Sequence, residues 1–310
     1  MSKIPIICVV GPTASGKTAL GIGLAKALGG EIVSADSMQV YKGMPIAAAV
    51  PTDDEKENIP HHLMEFLEPE YQLTVAEYTR LAHKKIEEIK NGGKVPIIVG
   101  GTGLYVDSLV NNIRFTDEEF SPETREKYEK EYDKNGGEQM LNRLREIDPD
   151  IAEKLYANDK KRIVRAFEIY ENTGITMTKQ YENSREIPSP YDAVFIGINY
   201  KNREILYERI NKRVDLMLEN GLLEEARKFY EKSGQNGGFQ AIGHKEFYPF
   251  FKGEITLEEA VDRLKQQTRR YAKRQLTWFR KNEKINWIYA DQSENVLGEA
   301  LKIIGREQQK

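Results

Sequence analysis

An apolar run, "IPIICVV" at residues 4–10, passes directly into "GPTASGKT" at residues 11–18. Gly11, Gly16, Lys17 and Thr18 fit G-x-x-x-x-G-K-[ST], a pattern with physical meaning only where a buried strand hands over to a helix. That junction constrains the fold more than any other stretch of the chain. The glycines let backbone N–H groups turn inward on phosphate oxygens, and the helix start adds its positive end. Lys17 supplies a point charge and Thr18 a hydroxyl able to ligate magnesium. With Pro12, Thr13, Ala14 and Ser15 between the glycines, residues 11–18 are expected to cradle phosphate. The motif leaves open whether a γ-phosphate is transferred or a diphosphate departs.

Further β-branched runs lie at residues 31–36, 94–101, 192–199 and 285–291, separated by helix-length stretches. Apolar strands alternating with helical patterns predict a parallel sheet covered on both faces, an α/β fold of the P-loop nucleoside triphosphate hydrolase type. Strand signals lapse from residue 113 to residue 191, where short helices are punctuated by Asn-Gly-Gly, Asp-Pro and Thr-Gly. We therefore expect a core of residues 1–112 and 192–310 interrupted by a helical insertion domain at 113–191. The charged, proline-containing "ENSREIPSPYD" is read as its return linker. With 39% hydrophobic and 31% charged residues, the composition is that of a globular protein. The apolar runs fall well short of the roughly 20 residues a membrane span needs, and no signal segment opens the chain, so a cytoplasmic monomer without a membrane partner is expected. The single cysteine, Cys8, sits inside the first strand and is read as a core residue. The four histidines, His61, His62, His83 and His244, show no metal-ligand spacing.

In a parallel sheet the ligand crevice lies at the carboxyl ends of the strands. The second predicted strand ends at Asp36 within "SADSMQVY", whereas the third ends in "VGGTGLY" without the acid an ATPase would use for magnesium. Asp36 is thus a site candidate, either for magnesium through water or as an acceptor of a proton. Thr102 is the only side-chain donor in the glycine turn after the third strand.

Charge is uneven although the net value is only −3: residues 261–284 hold nine Lys or Arg against two Asp or Glu. On a helix of about 100° per residue, Arg269, Arg270, Lys273, Arg274, Arg280 and Lys281 share one arc, while Tyr271, Ala272, Leu276, Trp278 and Phe279 fall on the opposite side and read as packing residues. Such a cationic face suits a phosphodiester backbone. Lys161, Arg162 and Arg165 form a second cluster on the insertion. Arg209 and Arg213, at i and i+4, can fork around a doubly charged phosphate or pair with Glu208 and Asp215.

Taken together, "GPTASGKT", "SADSMQVYKGM" at 34–44, "HHL" at 61–63, "GGTGLY" at 100–105, "DKKRIVRAFEIYENTG" at 159–174, "QAIGHKE" at 240–246 and "RRYAKRQLTWFRK" at 269–281 resemble the bacterial tRNA dimethylallyltransferases, also called tRNA isopentenyltransferases. The resemblance runs over nearly the whole chain. It implies transfer of a dimethylallyl group from dimethylallyl diphosphate to the exocyclic amine of the adenosine on the 3′ side of the anticodon. Asp36 is then the general base, while Lys17, Thr18 and Mg2+, with an arginine from 203–213, stabilise the departing diphosphate. By the same analogy Ser37, Met38, Gln39 and Thr102 meet the flipped adenosine or its neighbours. Gln240, Lys245, Arg269, Arg270, Lys273 and Arg274, with Lys161, Arg162 and Arg165, hold the anticodon stem-loop of the tRNA. The competing reading of the loop alone is an ATP-dependent small-molecule kinase. The chain departs from the family pattern in "MPIAAAVPT" at 44–52, where Ala48 stands for a threonine and Val50 for a lysine.

Overall fold

The computed structural model describes residues 3–113, 122–184, 187–232 and 237–307. These residues contain one six-stranded, wholly parallel sheet in the order β3-β2-β4-β1-β5-β6, built from β1 (Ile4–Val10), β2 (Gly30–Ser34), β3 (His61–His62), β4 (Val95–Gly100), β5 (Tyr191–Asn199) and β6 (Ile285–Tyr289). Five of the strands coincide with the predicted runs. The two-residue edge strand β3 has no apolar run of its own and was invisible to patterning.

Central strands are apolar on both sides because helices cover both faces. One layer packs α3 (Val75–Asn91), α4 (Gly103–Val110) and the end of α13 (Leu257–Phe279) on Ile6, Cys8, Val10, Val33 and Ile98. The other packs α1 (Lys17–Leu28) and α14 (Val296–Glu307) on Ile7, Val9, Ile32 and Ile97. Cys8 is fully buried, and burial pushes its thiol pKa up. The register pairs Val10 with Gly100 and Ser34 with Val99. The loops after β1, β2 and β4 therefore leave the sheet at one level, at the crevice edge.

The chain divides into two compact units, Met1–Val110 with Ser189–Lys310, and Asn111–Pro188. Beside the sheet, the first unit carries α2 (Asp53–Lys56), α10 (Arg203–Glu219), α11 (Leu222–Lys232) and α12 (Tyr248–Phe251). The second is wholly helical among its described residues: α5 (Pro122–Asn135), α6 (Gly137–Ile147), α7 (Pro149–Ala152), α8 (Lys160–Thr173) and α9 (Met177–Asn183). It has its own core of Tyr128, Met140, Leu144, Ile151, Ile163 and Phe167. Buried Asp148 knits that core together, accepting from Ile151 N, Thr178 N and Thr178 Oγ1. Of the expected return linker, Arg185 and Glu186 lie outside the described residues.

Candidate active site

The strand-to-helix junction has the geometry its sequence requires. Gly16 caps α1 at φ 100°, in the left-handed region that costs a side chain dearly, and α1 begins at Lys17. Lys17 Nζ donates to Pro12 O at 2.7 Å and folds back over the loop. The Ser15 hydroxyl is buried without a protein partner. Burial, opposed by Asp36 and reinforced by Arg213, lowers the Lys17 pKa from 10.5 to about 8. Burial outweighs the opposite charge of Asp36, so the ammonium is held in its charged form less firmly than in water.

Arg213 and Arg209 both turn to this loop. Arg213 Nη2 donates to Thr13 Oγ1, and Arg209 Nε donates to Ala14 O at 3.1 Å. The alternative pairing with Glu208 and Asp215 is not what forms; Asp215 pairs with Lys265 at 2.6 Å. Arg213 Nε is buried without a partner, and burial pulls the guanidinium pKa down. Arg209 stays exposed, its guanidinium 5.4 Å from the Tyr200 ring centroid. The two are therefore unequal: Arg213 lines the cavity and Arg209 braces the loop from outside.

The cavity itself holds about 310 Å³. Thr13, Lys17, Thr18, Asp36 and Arg213 line its polar part, with Met38, Met64, Val214, Met217 and Leu264 supplying apolar surface. Asp36 Oδ1 accepts from Met38 N at 2.9 Å, which fixes the carboxylate at the turn after β2. Thr102 stands behind Ser37 rather than on the cavity wall, accepting from Ser37 N at 3.0 Å. Gln39 does line the cavity, but its amide is engaged: Oε1 accepts from Ser34 Oγ at 2.8 Å, and Nε2 donates to Ala49 O at 3.1 Å.

Two residues that patterning passed over tie the site together. Gln275 is buried on α13, accepts from Thr13 N at 2.8 Å and donates to Gly101 O at 3.0 Å. It bolts the phosphate loop to the turn after β4, and a Cβ at Gly101 would lie 2.1 Å from its Nε2. Glu225 on α11 accepts from Ile46 N at 2.9 Å and Ala47 N at 3.0 Å, while His244 Nε2 lies 2.7 Å from the same carboxylate. Ala47–Ala49 and Gln240, Ile242, Gly243 and Lys245, which line the cavity, are thereby joined into one wall. Both signals were present as a polar residue inside an apolar stripe, Gln275 beside Ala272, Leu276 and Phe279, and Glu225 beside Leu222, Ala226 and Phe229. Tyr271 also lines the cavity instead of the core, and burial there, with Asp36 nearby, pushes its hydroxyl pKa up.

The cationic helix α13 starts at Leu257, behind a Thr256–Glu259 capping box, and stops at Phe279, so Arg280 and Lys281 follow it rather than belong to it. The chain must turn there to enter β6. Only Arg274 of the predicted arc reaches the cavity. Arg269 donates to Asn211 Oδ1 at 2.6 Å, while Arg270 and Lys273 are exposed. Trp278 is 40% exposed, unlike the fully packed Phe279, and departs from the packing role its spacing suggested. Gln240 and Lys245 both line the cavity. In the helical unit, Lys161 and Arg162 are exposed, whereas Arg165 Nη1 donates to buried Glu168 Oε2 at 2.8 Å.

Among the described residues no three His, Cys, Asp or Glu side chains gather where they could hold a metal, and no helix is long and apolar enough to cross a membrane.

The profile of the IPP transferase family matches residues 39–282. A protein of Caldanaerobacter subterraneus subsp. tengcongensis named tRNA dimethylallyltransferase is 47% identical over 294 residues, covering 93% of this chain and 92% of the relative. The Bacillus subtilis protein of that name is 46% identical, covering 93% and 91%. Among solved structures, the full-length tRNA isopentenylpyrophosphate transferase of Bacillus halodurans superposes with a TM-score of 0.74 at 39% identity, covering 99% of this chain and 98% of that one. A eukaryotic dimethylallyltransferase acting on tRNA gives a TM-score of 0.82 at 32% identity, covering 97% of this chain and 78% of that one. With a family profile spanning most of its length and relatives this similar from end to end, the chain belongs to the IPP transferase family.

Proposed function

We propose that this chain is a tRNA dimethylallyltransferase. It joins the dimethylallyl group of dimethylallyl diphosphate to the exocyclic N6 amine of the adenosine 3′ to the anticodon and releases diphosphate. One observation carries the reading: Asp36 lines the same cavity as Lys17, Thr18 and Arg213. A carboxylate beside a set of anion-binding groups suits a reaction with a proton to remove on one side and a diphosphate to stabilise on the other.

The bond that breaks joins the allylic carbon to a diphosphate oxygen, and the bond that forms joins that carbon to the adenine nitrogen. Negative charge grows on the departing diphosphate. Lys17, the N-terminus of α1 and Arg213 are already fixed around it, so little reorganisation is needed as the charge develops. The amine gains positive character as it bonds, and its proton passes to Asp36, which Met38 N holds in place. Apolar surface from Met38, Met64, Met217 and Leu264 gives the dimethylallyl chain a dry environment and keeps water from the allylic carbon.

Magnesium suits the Thr18 hydroxyl, a hard oxygen donor on the cavity wall; with most other ligands coming from diphosphate and water, it would add positive charge to the leaving group. The target base must leave its stack to reach Asp36, at a cost of about a few kcal/mol. Arg274 and Lys245 at the cavity, and exposed Lys161 and Arg162 on the helical unit, supply the cations for the RNA backbone, and Gln240 adds a neutral hydrogen-bonding amide. Gln39 and Thr102 act through the turn they brace rather than as free readers of the base. A monomer working in the cytoplasm fits this substrate.

The test is incubation of the chain with dimethylallyl diphosphate labelled in the allyl group and with tRNA. Label is expected in the RNA at the adenosine 3′ to the anticodon. Label remaining in the diphosphate, with ATP consumed on a small acceptor instead, would reject the proposal in favour of a kinase.

A further inference from the structure

Trp278 combines exposure with immobility. Its Nε1–H donates to Asp107 Oδ2 at 2.6 Å, and its pyrrole edge lies against Gly103, where a Cβ would stand 2.2 Å from Cδ1 and 2.6 Å from both Cγ and Nε1. One ring face is therefore laid on the start of α4 and the ring cannot rotate, yet the residue is 40% exposed. Its donor is already satisfied, so what the exposed part of the ring offers is π surface, and Leu104, next to Gly103 in the chain, is exposed as well. Arg274, four residues earlier on α13, lines the cavity, and at i, i+4 the two lie on adjoining faces, so Trp278 borders the cationic arc and does not oppose it as its spacing with Phe279 suggested. No Asp or Glu occurs between residues 263 and 282, while Arg269, Arg270, Lys273, Arg274, Arg280 and Lys281 do.

We propose that Trp278 is a fixed stacking platform for an unpaired nucleobase next to the one that enters the cavity. This rests on the RNA substrate proposed above. A flat aromatic face accepts any base, and the cations around it meet the phosphodiester chain that carries the base. The continuous strip from Arg274 to Trp278 leads away from the cavity along α13, as a strand of RNA leaving it would. Pre-set orientation matters here, because a ring already held by Gly103 and Asp107 loses little freedom when a base lands on it.

The chain has two tryptophans, so the Trp287→Phe protein reports on Trp278 alone. Titration with a synthetic anticodon stem-loop is expected to quench its emission, whereas inorganic diphosphate is not. Trp278→Leu should weaken stem-loop binding about tenfold, leave the single-turnover rate at saturating RNA unchanged, and be largely rescued in Trp278→Phe. Unchanged emission when filter retention shows the RNA bound would overturn the proposal, as would equal affinity of Trp278→Leu and the parent chain. A concentration-dependent dimer that Trp278→Leu dissolves would instead assign the patch to a second copy and reject the base. Failure of the parent chain to bind the stem-loop at all would sink the RNA reading and this inference with it.

Discussion

The phosphate loop and the wall at Ala47–Ala49 line one cavity but are held by different kinds of partner. The loop joins two bonds of its own, Lys17 Nζ to Pro12 O and Ser15 N to Pro12 O at 3.3 Å, to outside partners that are mostly cations, Arg213 on Thr13 and Arg209 on Ala14, with Gln275 on Thr13 N. The wall closes its own turns, Ala48 N to Met44 O, Ala49 N to Ile46 O and Val50 N to Pro45 O, and is anchored from outside by Gln39, which bonds the carbonyl of Ala49, and by Glu225 on α11, which bonds the amides of Ile46 and Ala47. The loop's partners thus bring positive charge to the cavity, whereas the wall's partners set its shape. Substitutions should separate the two: damage to the loop removes diphosphate, and damage to the wall moves the organic part of the substrate.

The largest effect is expected on the loop side. Lys17→Met should lower the transfer rate by about 10²–10³ and weaken diphosphate binding in parallel, as calorimetry and single-turnover kinetics would show. Equal loss of rate with intact diphosphate binding would place Lys17 elsewhere in the reaction.

The loop also has a pH signature. Since Lys17 in the free chain titrates at about 8, below its ordinary 10.5, diphosphate binds a site already protonated below that pH. Above it, the site must first take up a proton. Affinity relative to Lys17→Met should therefore be flat on the acid side and fall by up to about tenfold per unit above pH 8, with proton uptake on binding. Buffer-dependent calorimetric enthalpies check this; a flat ratio to pH 10 would contradict it.

On the wall side, Glu225→Leu leaves two amides and the His244 ring without their acceptor. A stability loss of about 2–4 kcal/mol is expected by denaturant titration, with KM for RNA raised more than diphosphate affinity is lowered. A change confined to diphosphate would break the division of labour described above. Smallest of all, Val50→Lys adds one cation to the wall's end and should tighten tRNA binding at low salt, steepening the salt dependence by about one counterion. Superimposable salt titrations of the two proteins would remove that expectation.

The range of each signal decides what could be read from the residues alone. The phosphate loop, five strands and the cationic helix carry short-range signals, a motif, apolar runs and a 3.6-residue period, that survive without knowledge of neighbours. Asp36 was found because strand ends in a parallel sheet share one edge. What escaped notice depended on distant partners. His61–His62 becomes a strand only because β2 lies beside it. Gln275, Glu225 and Tyr271 look like ordinary members of amphipathic helices until the fold brings Thr13, Ala47 and Asp36 to them. Trp278 shares the apolar stripe of Phe279, yet at the end of α13 it rests on Gly103 and remains 40% exposed. Spacing gives direction around a helix axis, not the extent of the surface that covers it.

The central claim is that Asp36 takes the amine's proton while the loop holds the departing diphosphate, so one residue should separate the two halves of the reaction. The decisive measurement is made on Asp36→Ala with labelled dimethylallyl diphosphate and tRNA, following transfer and diphosphate binding in the same preparation. The account predicts transfer reduced by at least about 10²-fold with diphosphate affinity retained. Transfer at the parent rate, or loss of diphosphate binding equal to the loss of transfer, would contradict it.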